Sequence, residues 1–525
     1  MSSSRAGTAR TADIPTQEPA PMTDQAGNGF WPMMVAIALA SMLLPFSITG
    51  AAMALPTMAA NLGASVSSGQ WVLNGFNITF AALPLAFGSL ADRWGRRRIL
   101  LSGITMVGLM SLVVAVAPSM AVVVAARVIQ GAGAASVLAS GAAVLAHATT
   151  GRRRHLAFGI LGASFGSGLA IGPLAAGALV QSAGWRSVFF LLAAISLPAL
   201  LCGTRAPESR NPDQPAFDVA GLVLFTAGLT CLSFAFVAAS TTGWTAAGTL
   251  FLLAGAVALI ALFAVVELHM AERAMFDVRL FRKPEFVAVI FQPFTVSLGF
   301  VVLLVYLTIY LQGVAGHTTV ASGLLLLPMT APVLVLPLIA SNLAARTSVR
   351  MVLTGASVLI VIGALLLMTL RSDGSWLMLA LPLLPFGAGV GLAFGVMDNA
   401  AVSTVPVSNA GAAAGIFNTM RVTGESVAIA AAAAVLTTLT ARDLSSHGVA
   451  ADYASALAGQ AIQGHLDPAH SAALTEGITN AFHTIGLALA ALSAVGAVLT
   501  FFALAPHRAQ SRGSDHHTST TGATR

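Results

Sequence analysis

Fourteen long apolar runs divide this chain, separated mostly by short polar or basic connections. They lie near residues 32–55, 71–91, 99–117, 120–146, 156–180, 187–203, 218–239, 247–267, 286–311, 320–341, 350–370, 376–401, 414–438 and 480–505. Each is long enough to cross a hydrocarbon core about 30 Å thick as a helix rising 1.5 Å per residue. Inside a bilayer a lone segment satisfies its backbone only as a helix. The pattern predicts an all-α integral membrane protein with fourteen transmembrane helices. Residues 1–30 and 506–525 are polar and read as tails. The first tail has no basic head followed by a short apolar region, so it reads as disordered and not as a signal peptide.

Composition strengthens this reading. Of 525 residues, 57% are hydrophobic and 8% are charged, where a soluble domain carries roughly 25% charged residues. The formal charge of +6 comes from arginines scattered over the connections. No basic folded face is implied, and no nucleic-acid partner. Cys202 and Cys231 lie in apolar runs and read as free thiols.

The arginines also set the topology. With both termini inside, the inner connections and tails hold almost all of the basic residues, including Arg93, Arg96, Arg97, Arg98, Arg152, Arg153 and Arg154. The outer connections hold only Arg186, Arg371 and Arg442. Positive charge stays on the cytoplasmic side, so both termini are expected there. Leu343-Ala-Ala-Arg346 echoes Leu90-Ala-Asp-Arg93. The echo suggests two related six-helix halves, at 31–204 and 286–505, with two inserted helices and their connections at 205–285. The one long outer connection, 439–479, contains His447, His465, His470, Asp443, Asp452 and Asp467, spaced as no metal-ligand set.

Between the second and third runs stands Gly88-Ser-Leu-Ala-Asp-Arg-Trp-Gly-Arg-Arg-Arg98. Gly88 and Gly95 permit a tight reversal. Asp92 can pair with Arg93, Arg96 or a neighbouring helix end, and Arg97 completes the basic cluster. This loop resembles the signature loop of the major facilitator superfamily. The resemblance implies the major facilitator fold and a transport function.

Arg127 lies inside the fourth run, where an ionisable group costs roughly 2.5–3.5 kcal/mol. Gln130 shares its helix face. Arg127-Val-Ile-Gln-Gly-Ala-Gly133 is similar to the fourth-helix motif of proton-driven members, which implies a part for Arg127 in proton coupling. The plainer reading is an arginine reaching outward to a loop acid. In the fifth run, Gly168, Gly172, Pro173 and Gly177 form a small-residue, proline-kinked pattern. It resembles the motif that marks exporters, and Trp185-Arg186 with Phe189 agrees. Fourteen spans with these motifs resemble the fourteen-span drug:proton antiporter family of the EmrB/QacA type. Asp218-Val-Ala-Gly221 and Arg421-Val-Thr-Gly424 extend the likeness.

Two departures stand out. Many members of that family carry an aspartate in the first helix, where this chain has Ser47, and Ala52 replaces an asparagine. Conversely, Glu425 stands where the family usually has glycine. It lies about eleven residues into its run, roughly 16 Å deep. Arg421 is one turn earlier, and Asp398 in the twelfth run should lie at similar depth. Glu425 reads either as the titrating carboxyl or as part of a static Arg421–Glu425–Asp398 network.

Polar and aromatic residues within spans outline an expected substrate cavity: Asn74, Asn77, Gln130, Gln292, Tyr306 and Tyr310. Helix–helix bonding is the competing reading for each. As a set they suit an amphipathic organic molecule, with neutral or weakly charged compounds preferred to cations. The expected function is proton-coupled export of such compounds across a bacterial cytoplasmic membrane by a monomer without a cofactor. Export of a self-made metabolite, or an uptake symporter or facilitator of the same fold, are the alternatives. A membrane enzyme is disfavoured, since the loops show no nucleophile–base pair, metal cluster or Walker-type phosphate loop.

Overall fold

The computed structural model describes residues 29–64, 66–210, 218–270, 278–371, 376–462 and 466–504. The tails expected at 1–30 and 506–525 therefore fall almost wholly outside the described residues, as does His465. The first half contains α1 (Phe30–Asn61), α2 (Val66–Ala82), α3 (Pro84–Trp94), α4 (Arg96–Ala115), α5 (Met120–Ala148), α6 (Gly151–Ala183) and α7 (Arg186–Gly203). The intervening pair is α8 (Val219–Thr242) and α9 (Ala247–Met270). The second half contains α10 (Pro284–Val302), α11 (Thr319–Leu325), α12 (Leu327–Arg346), α13 (Val349–Leu366), α14 (Trp376–Phe394), α15 (Met397–Ser403), α16 (Ala410–Ser446), α17 (Ala451–Ile462) and α18 (Ser471–Ala503). By length and composition these give 13 candidate membrane spans, or 14 when one bent pair is counted as one span.

That pair is α2 and α3, bent by 50° at Leu83. Pro84 opens α3 and cannot donate to the preceding turn. Gly95, with φ +116, separates α3 from α4 in a conformation few other residues adopt. Asp218 caps α8 by accepting from the Gly221 amide at 2.7 Å. α10 continues through two π-helical turns, Leu303–Leu307 and Tyr310–Val314.

The packing repeats itself. In the first half α1 lies on α6 and α7, α5 on α2 and α4, and α4 on α7. In the second half α10 lies on α16 and α18, α14 on α12 and α13, and α13 on α18. The Leu343–Arg346 echo forms the last turn of α12, matching Leu90–Arg93 at the end of α3. The halves meet chiefly where α6 lies on α12 and α3 on α16. The α8–α9 pair flanks this body, with α8 against α2 and α16.

The outer connection expected at 439–479 is shorter than its polarity suggested. α16 runs on to Ser446 and α18 starts at Ser471. Thr440, Leu444 and Leu474 are all fully buried, and Gly477 lies against Thr440. The polar residues Arg442, Asp443, Ser445 and Ser446 interrupt the apolar run in sequence but not the helix.

Candidate functional site

At the end that carries the basic loops, the halves are latched together by the signature loop. Asp92 is fully buried and pairs with Arg96 at 2.8 Å. Its two oxygens also accept from the amides of Gly411 at 3.2 Å and Ala412 at 3.1 Å. A carboxylate of the first half thus supplies the N-terminal cap of α16 in the second. An anion there meets unsatisfied amides and the positive end of the helix. Arg96 donates to the Val407 carbonyl at 2.8 Å, crossing the same seam. Arg97 bonds the carbonyls of Thr204 and Ala206 and pairs with Glu208 at 3.6 Å.

Glycines let the backbones close beneath this latch. A Cβ at Gly88 would collide with the Gly411 peptide, and one at Gly415 would lie 2.6 Å from Leu85 Cα. On the other side of the seam, a Cβ at Gly162 would strike Phe394, and one at Gly166 would lie 2.8 Å from the Val333 carbonyl oxygen. Arg154 adds a second latch, donating to Asn399 at 2.7 Å and to Ser403 at 3.1 Å. The basic end is therefore closed.

Gly168 and Gly172 do different work. They seat α6 on α1, against Met42, Pro45 and Thr49, within one half. A Cβ at Gly177 would meet nothing within 4 Å, so close packing does not require glycine at the last member of the pattern. Pro173 lies inside α6, where it removes one backbone bond. Trp185 is buried, donates to Asn61 at 3.2 Å and meets Phe189 edge-on at 6.2 Å.

Arg127 does not reach outward to a loop acid. It is wholly buried and donates to the Val72 carbonyl at 3.0 Å, Ser47 Oγ at 2.7 Å and Gln130 Oε1 at 2.6 Å. The Phe76 ring lies 4.2 Å from its guanidinium carbon. Gln130 in turn donates to Ser111 at 2.7 Å. A polar seam thus runs from α1 through α5 to α4.

Arg421 and Asp398 come together as expected, at 2.7 Å and both buried. Arg421 also lies within 5.0 Å of Phe165, 5.1 Å of Phe417 and 5.7 Å of Phe394. Phe165 belongs to the first half, so this cation and its rings plug the seam above the latch. Within the expected network, the Arg421–Asp398 pair is formed. Glu425 lies one turn further along α16 on the face of Arg421, half-buried and with a contact of its own.

The expected cavity residues divide. Asn74 and Asn77 are half-buried. They lie on α2, which packs against α5, α8 and α16. Gln130, Gln292 and Tyr306 are corrected. They are buried, and their polar atoms join helices within a half: Gln292 bonds Thr500 at 2.5 Å and Tyr306 bonds the Ile429 carbonyl at 3.0 Å. Tyr310 bonds Thr479 at 3.2 Å. It borders a 190 Å³ cavity near His317 and Trp376, not the seam between halves. A larger hollow of 660 Å³ opens beside it, lined by Arg371, Glu476, Asn480 and His483.

Sequence reasoning missed Arg154, Asn399, Phe165, Phe394 and Glu208. Arg154 sat within a basic cluster that topology alone accounted for. The phenylalanines carry no pattern that separates a cross-seam plug from lipid contact. Among the described residues no group of three or more His, Cys, Asp or Glu could hold a metal.

A bundle of repeated halves, closed at one end by breakable polar contacts, defines a multi-pass membrane transporter. The sequence profile of the Major Facilitator Superfamily matches residues 37–429, and the chain belongs to that family. It is 31% identical to the multidrug resistance protein Stp of Mycobacterium tuberculosis, covering 75% of this chain and 73% of Stp. It is 29% identical to the multidrug efflux pump LfrA of Mycolicibacterium smegmatis, covering 80% and 83%. It is 32% identical to the puromycin resistance protein pur8 of Streptomyces alboniger, covering 80% and 84%. The structure of the human organic anion transporter MFSD10 shares the fold, with TM-score 0.54, 14% identity and coverage of 90% and 97%.

Proposed function

We propose that this protein exports amphipathic organic compounds, antibiotics among them, from the bacterial cytoplasm by proton-driven alternating access. The observation that carries the reading is the breakable closure at the basic end. Asp92 and Arg96 reach across the seam to α16, while the facing glycines allow backbone contact. Such contacts can be made in one state and broken in the other without refolding either half. The basic loops put this closed end in the cytoplasm, and breaking its contacts would open the seam to that side. The relatives' names as multidrug and antibiotic resistance proteins support export over uptake.

Protons drive the cycle, and no cofactor is needed. Glu425, half-buried above the Arg421–Asp398 pair, takes a proton from outside when the cleft is open. Arg127 holds the neighbouring helices in register. One charge moved inward gains about 2.3 kcal/mol per 100 mV, and each pH unit about 1.4 kcal/mol. A monomer suffices. Export of a compound the cell itself makes is the second reading. It is supported by a relative named for tetracenomycin C resistance and export, 31% identical and from Streptomyces glaucescens.

The test is expression in a bacterium stripped of its own efflux pumps, with susceptibility and dye retention measured against a drug panel. Lower retention that a protonophore restores supports the reading. Retention indifferent to both the protein and the protonophore refutes it.

A further inference from the structure

Among the described residues three arginines have fully buried side chains: Arg96, Arg127 and Arg421. Arg96 is neutralised by Asp92 and Arg421 by Asp398. Arg127 has no carboxylate among the described residues. Its partners are a carbonyl, a hydroxyl and an amide oxygen, all neutral dipoles. Its Nη2 is buried with no acceptor at all. Dipoles and the Phe76 face solvate the guanidinium, but its positive charge stays uncompensated. Ser47 decides this, because it offers an acceptor at 2.7 Å without a charge.

We propose that Arg127 selects for substrates bearing an acidic group, a carboxylate or an ionised phenol, which supplies the missing negative charge to the first-half wall of the cleft. The proposal rests on the export reading and names its substrate class. The geometry places the charge close to that wall. Arg127 bonds Val72 of α2, and α2 lies against α16 of the second half. An acidic group resting there lies roughly one helix diameter, about 10 Å, from the guanidinium. At an effective dielectric of about 20, that attraction strengthens binding of an acidic group by at least about tenfold over its neutral counterpart. The polar seam through Gln130 to Ser111 fixes Arg127 in place, so the field does not relax when substrate leaves.

The experiment compares two dyes that differ only at one carboxyl: rhodamine B and its ethyl ester. Both carry the same cationic ring system, so any contribution of Glu425 to binding the ring cancels. Equilibrium binding to the purified full-length protein is read by fluorescence anisotropy, with no gradient present. The free acid is expected to bind at least about tenfold more tightly than the ester. Ser47→Asp places a carboxylate against Arg127 and is expected to abolish or reverse that ratio. Ser47→Asn, which adds no charge, keeps it and controls for folding. The proposal is overturned if the ester binds as tightly as the acid, if Ser47→Asp leaves the ratio unchanged, or if neither dye binds. Because the assay uses no proton gradient, a failure of coupling leaves the ratio intact, and a lost ratio leaves proton-driven export standing.

Discussion

Gly88 offers the most direct way to push the molecule out of its closed state. A methyl group there would lie 2.8 Å from the Gly411 carbonyl carbon and closer still to its oxygen. Both are backbone atoms, so no side chain can swing aside. Ordinary carbon contacts need about 3.5–4.0 Å, so the two helices must part by roughly 1 Å. Overpacking of this kind costs about 1–3 kcal/mol. The penalty falls only on the state in which α3 touches α16. The same displacement stretches the Asp92 contacts to Gly411 and Ala412, already at 3.2 and 3.1 Å. Gly88→Ala should therefore move the population toward the inward-open state by a factor of about 5 to 150. Spin labels on cysteines replacing Arg98 and Arg346, both exposed at the basic end, would report it in a background with Cys202 and Cys231 changed to serine. A second, longer distance should grow at the expense of the first. Gly177→Ala, with open space around it, should leave the distribution untouched. Unchanged distances in Gly88→Ala, or equal changes in both variants, would refute the reasoning.

Further outcomes follow from neighbouring contacts. Asp92→Asn keeps an acceptor but removes the charge that holds Arg96 and the start of α16, so the same labels should shift the same way, by about 2–3 kcal/mol. Gly168→Val should act differently, because its clash with Met42 and Pro45 lies inside one half. It should lower the thermal unfolding midpoint in detergent, a loss of about 1–3 kcal/mol, without lengthening the inter-half distance. Trp185→Phe removes one hydrogen bond to Asn61 and keeps the ring packing, so a loss of about 1 kcal/mol is expected in the same melt.

The spans were legible because a bilayer demands long apolar helices, and fourteen runs met that demand. The ends were less legible where a helix emerges from lipid. α16 continues past its last apolar stretch because Thr440 and Leu444 still pack inside, although Arg442 and Asp443 intervene. Asp92 and Arg96 could be read as a basic turn with an acid that seeks a helix end. That the end belongs to α16, 319 residues away, lies beyond any local pattern. Gln292 and Tyr306 misled for a physical reason. A polar side chain within a span must find a partner, and another helix serves as well as a cavity. Similar depth of Arg421 and Asp398 is readable from the sequence and the two pair in the structure, but the Phe165, Phe394 and Phe417 cage depends on how the two halves meet.

Proton coupling through Glu425 is the central claim, and reconstitution tests it most directly. Purified protein in liposomes with an imposed pH gradient should accumulate a dye substrate against its concentration gradient. Glu425→Gln should bind the dye equally well and fail to accumulate it. Accumulation by the variant at the wild-type level would contradict the account and leave Glu425 with a structural role.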